Sequence, residues 1–203
     1  MKEKIKFDKF DDYLAFLIST ILSPYISATV FIVIITYAYS QNLTQFLPWM
    51  GTFFLFAILI PGIYVLWLIE IGKISDIHIS DQNERKIPFI VAGVSSLIGV
   101  VLLVVLQAAR PVIMIAVAYA VNAMMVAIIT QFWKISIHTA LFSSVATIAV
   151  IVFGPRFVWL YLLLLPLSWS RVHRHRHSLL QVVAGALLAF VLTTATFWAF
   201  GYL

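Results

Sequence analysis

Three short polar islands interrupt a chain that is otherwise strongly apolar. The densest runs from Ser170 to Gln181, Ser-Arg-Val-His-Arg-His-Arg-His-Ser-Leu-Leu-Gln, with three arginines and three histidines between two apolar runs. Six such groups at one point call for an anionic partner, and phosphate is the commonest anion that arginine's planar fork and histidine's ring nitrogens hold. A second island, Lys134-Ile135-Ser136-Ile137-His138-Thr139, lies where one apolar run ends and the next begins. The third, from Glu70 to Pro88, carries Lys73, Asp76, His78, Asp81, Glu84, Arg85 and Lys86, with Arg85 just before an apolar run.

These residue types in these positions suit phosphoryl chemistry, which needs positioning and charge neutralisation more than covalent machinery. One imidazole can serve as nucleophile while another serves as acid. A metal site at His173, His175 and His177 is not expected. Alternate histidines share a face only in an extended strand, and the arginines between them repel a cation. The plainer alternatives are a basic juxtamembrane patch that reads lipid headgroups, a solvated loop at 70–88, and a helix cap by Ser136 or Thr139.

In order along the chain, the islands resemble the three signatures of the type 2 phosphatidic acid phosphatase family. Ser170, Arg171 and His177 have the spacing of the third signature as far as its histidine, and Gln181 stands where that family has aspartate. Ser136 and His138 keep the order and spacing of the second, with Ile135 and Ile137 in place of proline and glycine. Arg85 resembles the arginine of the first; His78 stands seven positions before it in place of lysine, and Lys86 in place of proline. The resemblance runs from the first island to the end of the chain.

It implies a membrane phosphatase that attacks a lipid phosphate or polyprenyl diphosphate with histidine and passes through a phosphohistidine. Carried over residue by residue, His177 is the nucleophile and His138 protonates the leaving oxygen. Arg85, Arg171, Ser136, Lys134 and His78 hold the phosphate. Gln181 takes the place of the aspartate that steadies the nucleophilic ring; its carbonyl can accept the ring N–H but adds no charge. No metal and no cofactor is implied. The partners are the bilayer and a lipid phosphate or diphosphate, and no nucleic acid is expected.

The elements that must position these residues are transmembrane helices. Hydrophobic residues make up 63% of the 203 and charged residues 10%, with mean hydropathy +1.06. That composition belongs to an integral membrane protein. The absence of cysteine excludes thiolate chemistry. Apolar runs fall near 15–39, 48–69, 87–106, 111–131, 137–153, 156–169 and 179–201. The expected fold is therefore all-α: a single-domain polytopic transmembrane helical bundle over 1–203, with about seven spans. It has six if 137–169 is one broken helix; Gly154-Pro155-Arg156 favours two. Residues 1–14 read as an interfacial segment.

With seven spans, Lys2, Lys4, Lys6, Lys9, Lys73, Arg85, Lys86, Lys134, Arg171, Arg174 and Arg176 share one side with all eight acidic residues, while Arg110 and Arg156 lie on the other. The positive-inside rule places the first side, with the N-terminus and all three islands, in the cytoplasm of a multi-pass protein of the cell membrane. A cytoplasmic site favours a substrate made on the inner leaflet, such as an isoprenoid diphosphate. Two other functions compete: a non-catalytic lipid-phosphate binding or transport protein on the same scaffold, and a magnesium-dependent membrane prenyltransferase. For the latter, Asp76 and Asp81 are five apart instead of four and no second aspartate-rich loop follows. Nothing in the sequence sets the oligomeric state.

Overall fold

The computed structural model describes residues 10–77, 79 and 81–203. Most of the expected interfacial segment, and His78, therefore lie outside the described residues. Among the described residues every regular element is helical. α1 (Phe10–Ile21) and α2 (Pro24–Tyr39) are separated by a short turn. Ser23 Oγ caps α2 by accepting from Ile26 N at 3.4 Å, and Pro24 opens the helix where a missing N–H costs nothing.

α3 (Leu43–Phe54) passes through a π-helical turn, Leu55–Leu59, into α4 (Ile60–Glu70). Pro61 accounts for the widened turn, since its ring has no N–H for the carbonyl of Ala57 and would collide with it in a regular helix. That carbonyl is taken by Tyr119, whose hydroxyl donates to it at 2.9 Å, and Phe56 O beside it accepts from Ser95 Oγ at 2.7 Å. A polar group freed inside a bilayer is thus satisfied by neighbouring helices.

α5 (Lys86–Val105), α6 (Arg110–Ile129) and α7 (Ile137–Phe153) follow. α7 closes at Gly154, whose φ of 98° is readily accessible to glycine. Pro155–Leu163 is a 3-10 segment that runs into α8 (Leu164–His173), and α9 (Leu179–Ala199) ends the bundle. Among the described residues five stretches are long and apolar enough to cross a membrane: Phe10–Tyr39, Leu43–Glu70, Lys86–Val105, Arg110–Ile129 and Leu179–Ala199. α7 is shorter, at 17 residues.

The two ends of the bundle differ in chemistry. At one end the Arg110 guanidinium donates to the carbonyl of Phe200, Trp49 Nε1 donates to Leu106 O at 3.3 Å, and Tyr202 packs edge-on against Phe197. The polar islands gather at the other. There α7 and α9 meet in a seam of small residues. Thr139 Oγ1 donates to Val182 O and Ser143 Oγ to Ala186 O, both at 2.8 Å, while Ser136 N donates to Gln181 O at 3.2 Å. Gly185 permits this approach: a Cβ there would stand 2.5 Å from Ser136 O.

Candidate functional site

A cavity of about 180 Å³ opens between the helices, and Arg85, His138, Arg171 and His177 all line it. Residues from the three islands, 92 positions apart at their extremes, thus converge on one space. The rest of the lining is mostly apolar and runs inward. Ile148 lines the cavity ten residues beyond His138 on α7, about 15 Å deeper at the helical rise. The site therefore joins a cationic mouth to an apolar slot.

Arg85 stands at the start of α5 and is 2% exposed. Its Nε donates to Ile79 O at 2.7 Å and its Nη1 to Ile135 O at 3.3 Å. Ile79 presents that carbonyl from a φ of 47°, a conformation β-branched residues rarely adopt. Arg171, on the last turn of α8, is 4% exposed; Nη1 donates to Ser19 Oγ at 2.7 Å, and Nε is buried with no hydrogen-bond partner among the described residues. Neither guanidinium forms an ion pair with a carboxylate among the described residues. Burial lowers Arg85 to about 10, so it stays charged at neutral pH, with Asp76 and Asp81 acting on it from a distance. Two buried cations without a counter-charge are costly, and a bound anion offsets that cost.

His177 lies between α8 and α9, and its Nδ1 lies 3.3 Å from Lys134 O. Donation of Nδ1–H to that carbonyl leaves Nε2 unprotonated, with a lone pair available. Burial, then Arg171 and Arg85, hold its pKa down to about 3, so the ring is neutral at pH 7. His138, 6% exposed, is carried on the first turn of α7.

Three expected site residues take other places. Ser136 is fully buried and does not line the cavity; its Oγ caps α7 by accepting from Thr139 N, because the helix start leaves that N–H without a backbone partner. Gln181 does not hold the His177 ring. Its Oε1 accepts from Ser178 N at 3.0 Å, and Ser178 Oγ accepts from Gln181 N, which makes it half of a capping box at the start of α9. Lys134 is half-buried and lies outside the cavity lining, but its carbonyl orients His177. Its ammonium is held below the usual lysine range by burial and by Arg85 and Arg176. Lys73 and Lys86 are exposed and do not line the cavity.

His173 pairs with Asp12 at 2.9 Å and stacks on Trp169, on the α1 side of α8. Among the described residues no group of three or more His, Cys, Asp or Glu side chains could hold a metal ion. Sequence reasoning missed Ser19 and the carbonyls of Ile79, Lys134 and Ile135. Ser19 is one hydroxyl within an apolar run, and a carbonyl contact leaves no trace in residue type.

No family model, curated protein or solved structure matches the chain.

Proposed function

We propose that the protein is a metal-independent membrane phosphatase that hydrolyses a lipid phosphate or prenyl diphosphate through a phosphohistidine. One observation carries this reading: a mouth lined by two imidazoles and two buried guanidiniums, with no carboxylate paired to either among the described residues, opens into an apolar slot about 15 Å deep. An anionic head and a hydrocarbon tail on one molecule fit both parts. His177 Nε2 attacks phosphorus as the bond to the lipid oxygen breaks, and His138 supplies that oxygen with a proton. Water then attacks the phosphohistidine, phosphate leaves and His177 is restored. Arg85 and Arg171 neutralise the phosphoryl oxygens throughout.

The resemblance to the type 2 phosphatidic acid phosphatase signatures supports the same roles. So does the shared bundle end of the islands, which with the charge count favours a cytoplasmic site and seven spans. A 3-10 helix rises about 2.0 Å per residue. Pro155–His173 therefore reaches about 33 Å, enough to cross the bilayer despite its 19 residues.

Purified protein should release phosphate from a lipid phosphate with EDTA present, and His177→Ala should abolish release. A second reading, a non-catalytic lipid-phosphate binding or transport protein, is favoured by one observation: His177 rests on an uncharged carbonyl where the signature supplies a carboxylate. Binding of lipid phosphate without turnover would select it.

A further inference from the structure

The two buried arginines are held in different ways. Arg85 donates its single Nε–H and one Nη1 N–H to backbone carbonyls, so its Nε–Nη2 edge is already engaged. Arg171 spends Nη1 on Ser19 and keeps Nε and Nη2, neither of which makes a hydrogen bond among the described residues. In a guanidinium, Nη1 lies on the side of Cδ, so the bond to Ser19 leaves the opposite Nε–Nη2 edge untouched. The Nε–Nη2 edge carries two parallel N–H groups, the arrangement that grips a phosphate or carboxylate with two bonds.

Ser19 is itself placed by the docking of α1. Asp12, Phe16 and Ser19 follow the i, i+4, i+7 spacing of one helix face. All three meet α8: Asp12 pairs with His173 at 2.9 Å, the Arg174 guanidinium lies 5.1 Å from the centre of the Phe16 ring, and Ser19 meets Arg171 at 2.7 Å. Ser19 is 3% exposed, so water does not compete for this bond.

We propose that Ser19 is a positioning residue of the anion site. It turns Arg171 so that the Nε–Nη2 edge takes two phosphate oxygens, while Arg85, whose Nε is held by Ile79 O, contributes only from its Nη groups. The first span, which carries none of the signature residues, thus sets the orientation of the cation that grips hardest. This rests on reading the cavity mouth as a phosphate site, but it does not require hydrolysis.

The test measures binding of inorganic phosphate to the full-length protein in detergent with EDTA, in a His177→Ala background so that no turnover intervenes. Ser19→Ala should weaken phosphate binding about tenfold, the size of one charge-assisted hydrogen bond. Ser19→Thr, which keeps the hydroxyl, should restore it. Asp12→Asn, which loosens the same face away from Arg171, should weaken phosphate binding much less than Ser19→Ala does. In the otherwise wild-type enzyme, Ser19→Ala should raise KM and change kcat much less. Unchanged phosphate affinity in Ser19→Ala overturns the proposal, as does an equal loss in Asp12→Asn or no phosphate binding in the His177→Ala parent. Phosphate binding by a wild type that releases none from lipid counts against the phosphatase reading alone.

Discussion

The seam between α7 and α9 backs one wall of the cavity, the face between α2 and α4 lines another, and the two are built on opposite plans. Along the seam, Ser136, Thr139 and Ser143 bond to backbone groups of α9, and Gly185 leaves no room even for a methyl group. Across the cavity α2 packs on α7 and α3 but scarcely touches α4, and Gly62 on α4 faces open space. The first region carries His138 and leads into the loop of His177, so it holds two imidazoles in one relation. The second contributes apolar walls that can admit a chain. Rigid packing and room are thus assigned to different helix pairs, as the proposed chemistry requires of a reacting centre and a lipid tail.

The sharpest way to break this division is at the reacting centre. His177→Ala should lower phosphate release by about 10³-fold or more. Retained release would move the chemistry elsewhere. Next, Gly185→Val should force the seam apart, lowering stability by about 1–3 kcal/mol, read from thermal unfolding in detergent, and reducing turnover with it. Gly62→Leu, one large side chain on the open face, should leave the unfolding midpoint in place. It should slow release from a long-chain lipid phosphate about fivefold more than from a water-soluble phosphate ester. If it destabilises the protein as Gly185→Val does, the two regions do not differ as argued.

Acid titration tests the buried ring. The folded pKa of His177, about 3, lies below its ordinary 6.5. Between those values the unfolded chain takes up a proton that the folded chain refuses, so this contribution to stability is fully present above pH 6.5 and is lost as pH falls toward 3. Thermal unfolding followed from pH 7 to pH 4 should show the decline, and His177→Leu should flatten it. The smallest effect belongs to Gln181→Leu. Losing half a capping box costs about 1 kcal/mol. Because Lys134 O orients the His177 ring, release should stay within about threefold of wild type. A hundredfold loss would restore Gln181 to the place that its alignment with the signature suggests.

Much of the helical plan is visible in the chain. Unbroken apolar runs leave little choice of secondary structure in a bilayer, and Gly154-Pro155 marks a stop, whereas the helix start at Ser23-Pro24 and the widened turn before Pro61 fall inside the runs 15–39 and 48–69 that read as unbroken. Arg85, His138, Arg171 and His177 are also legible, because charged and imidazole side chains between apolar runs are expensive unless used. Ser136 and Gln181 are misread for a common reason. Short polar side chains near a helix start are claimed first by the free backbone N–H groups there, and spacing alone cannot tell a cap from a ligand.

Residue type and order by themselves determined an all-helical membrane chain with its cations and histidines in the breaks. They could do so because hydrophobic length and the cost of intramembrane charge are properties of local sequence. Only the tertiary structure decided that the breaks share one cavity, that carbonyls of Ile79, Lys134 and Ile135 aim the side chains, and that Ser19 reaches Arg171 from 152 positions away. Those contacts depend on how closely helices approach and how they are rotated, and that is set by the packing of the whole bundle.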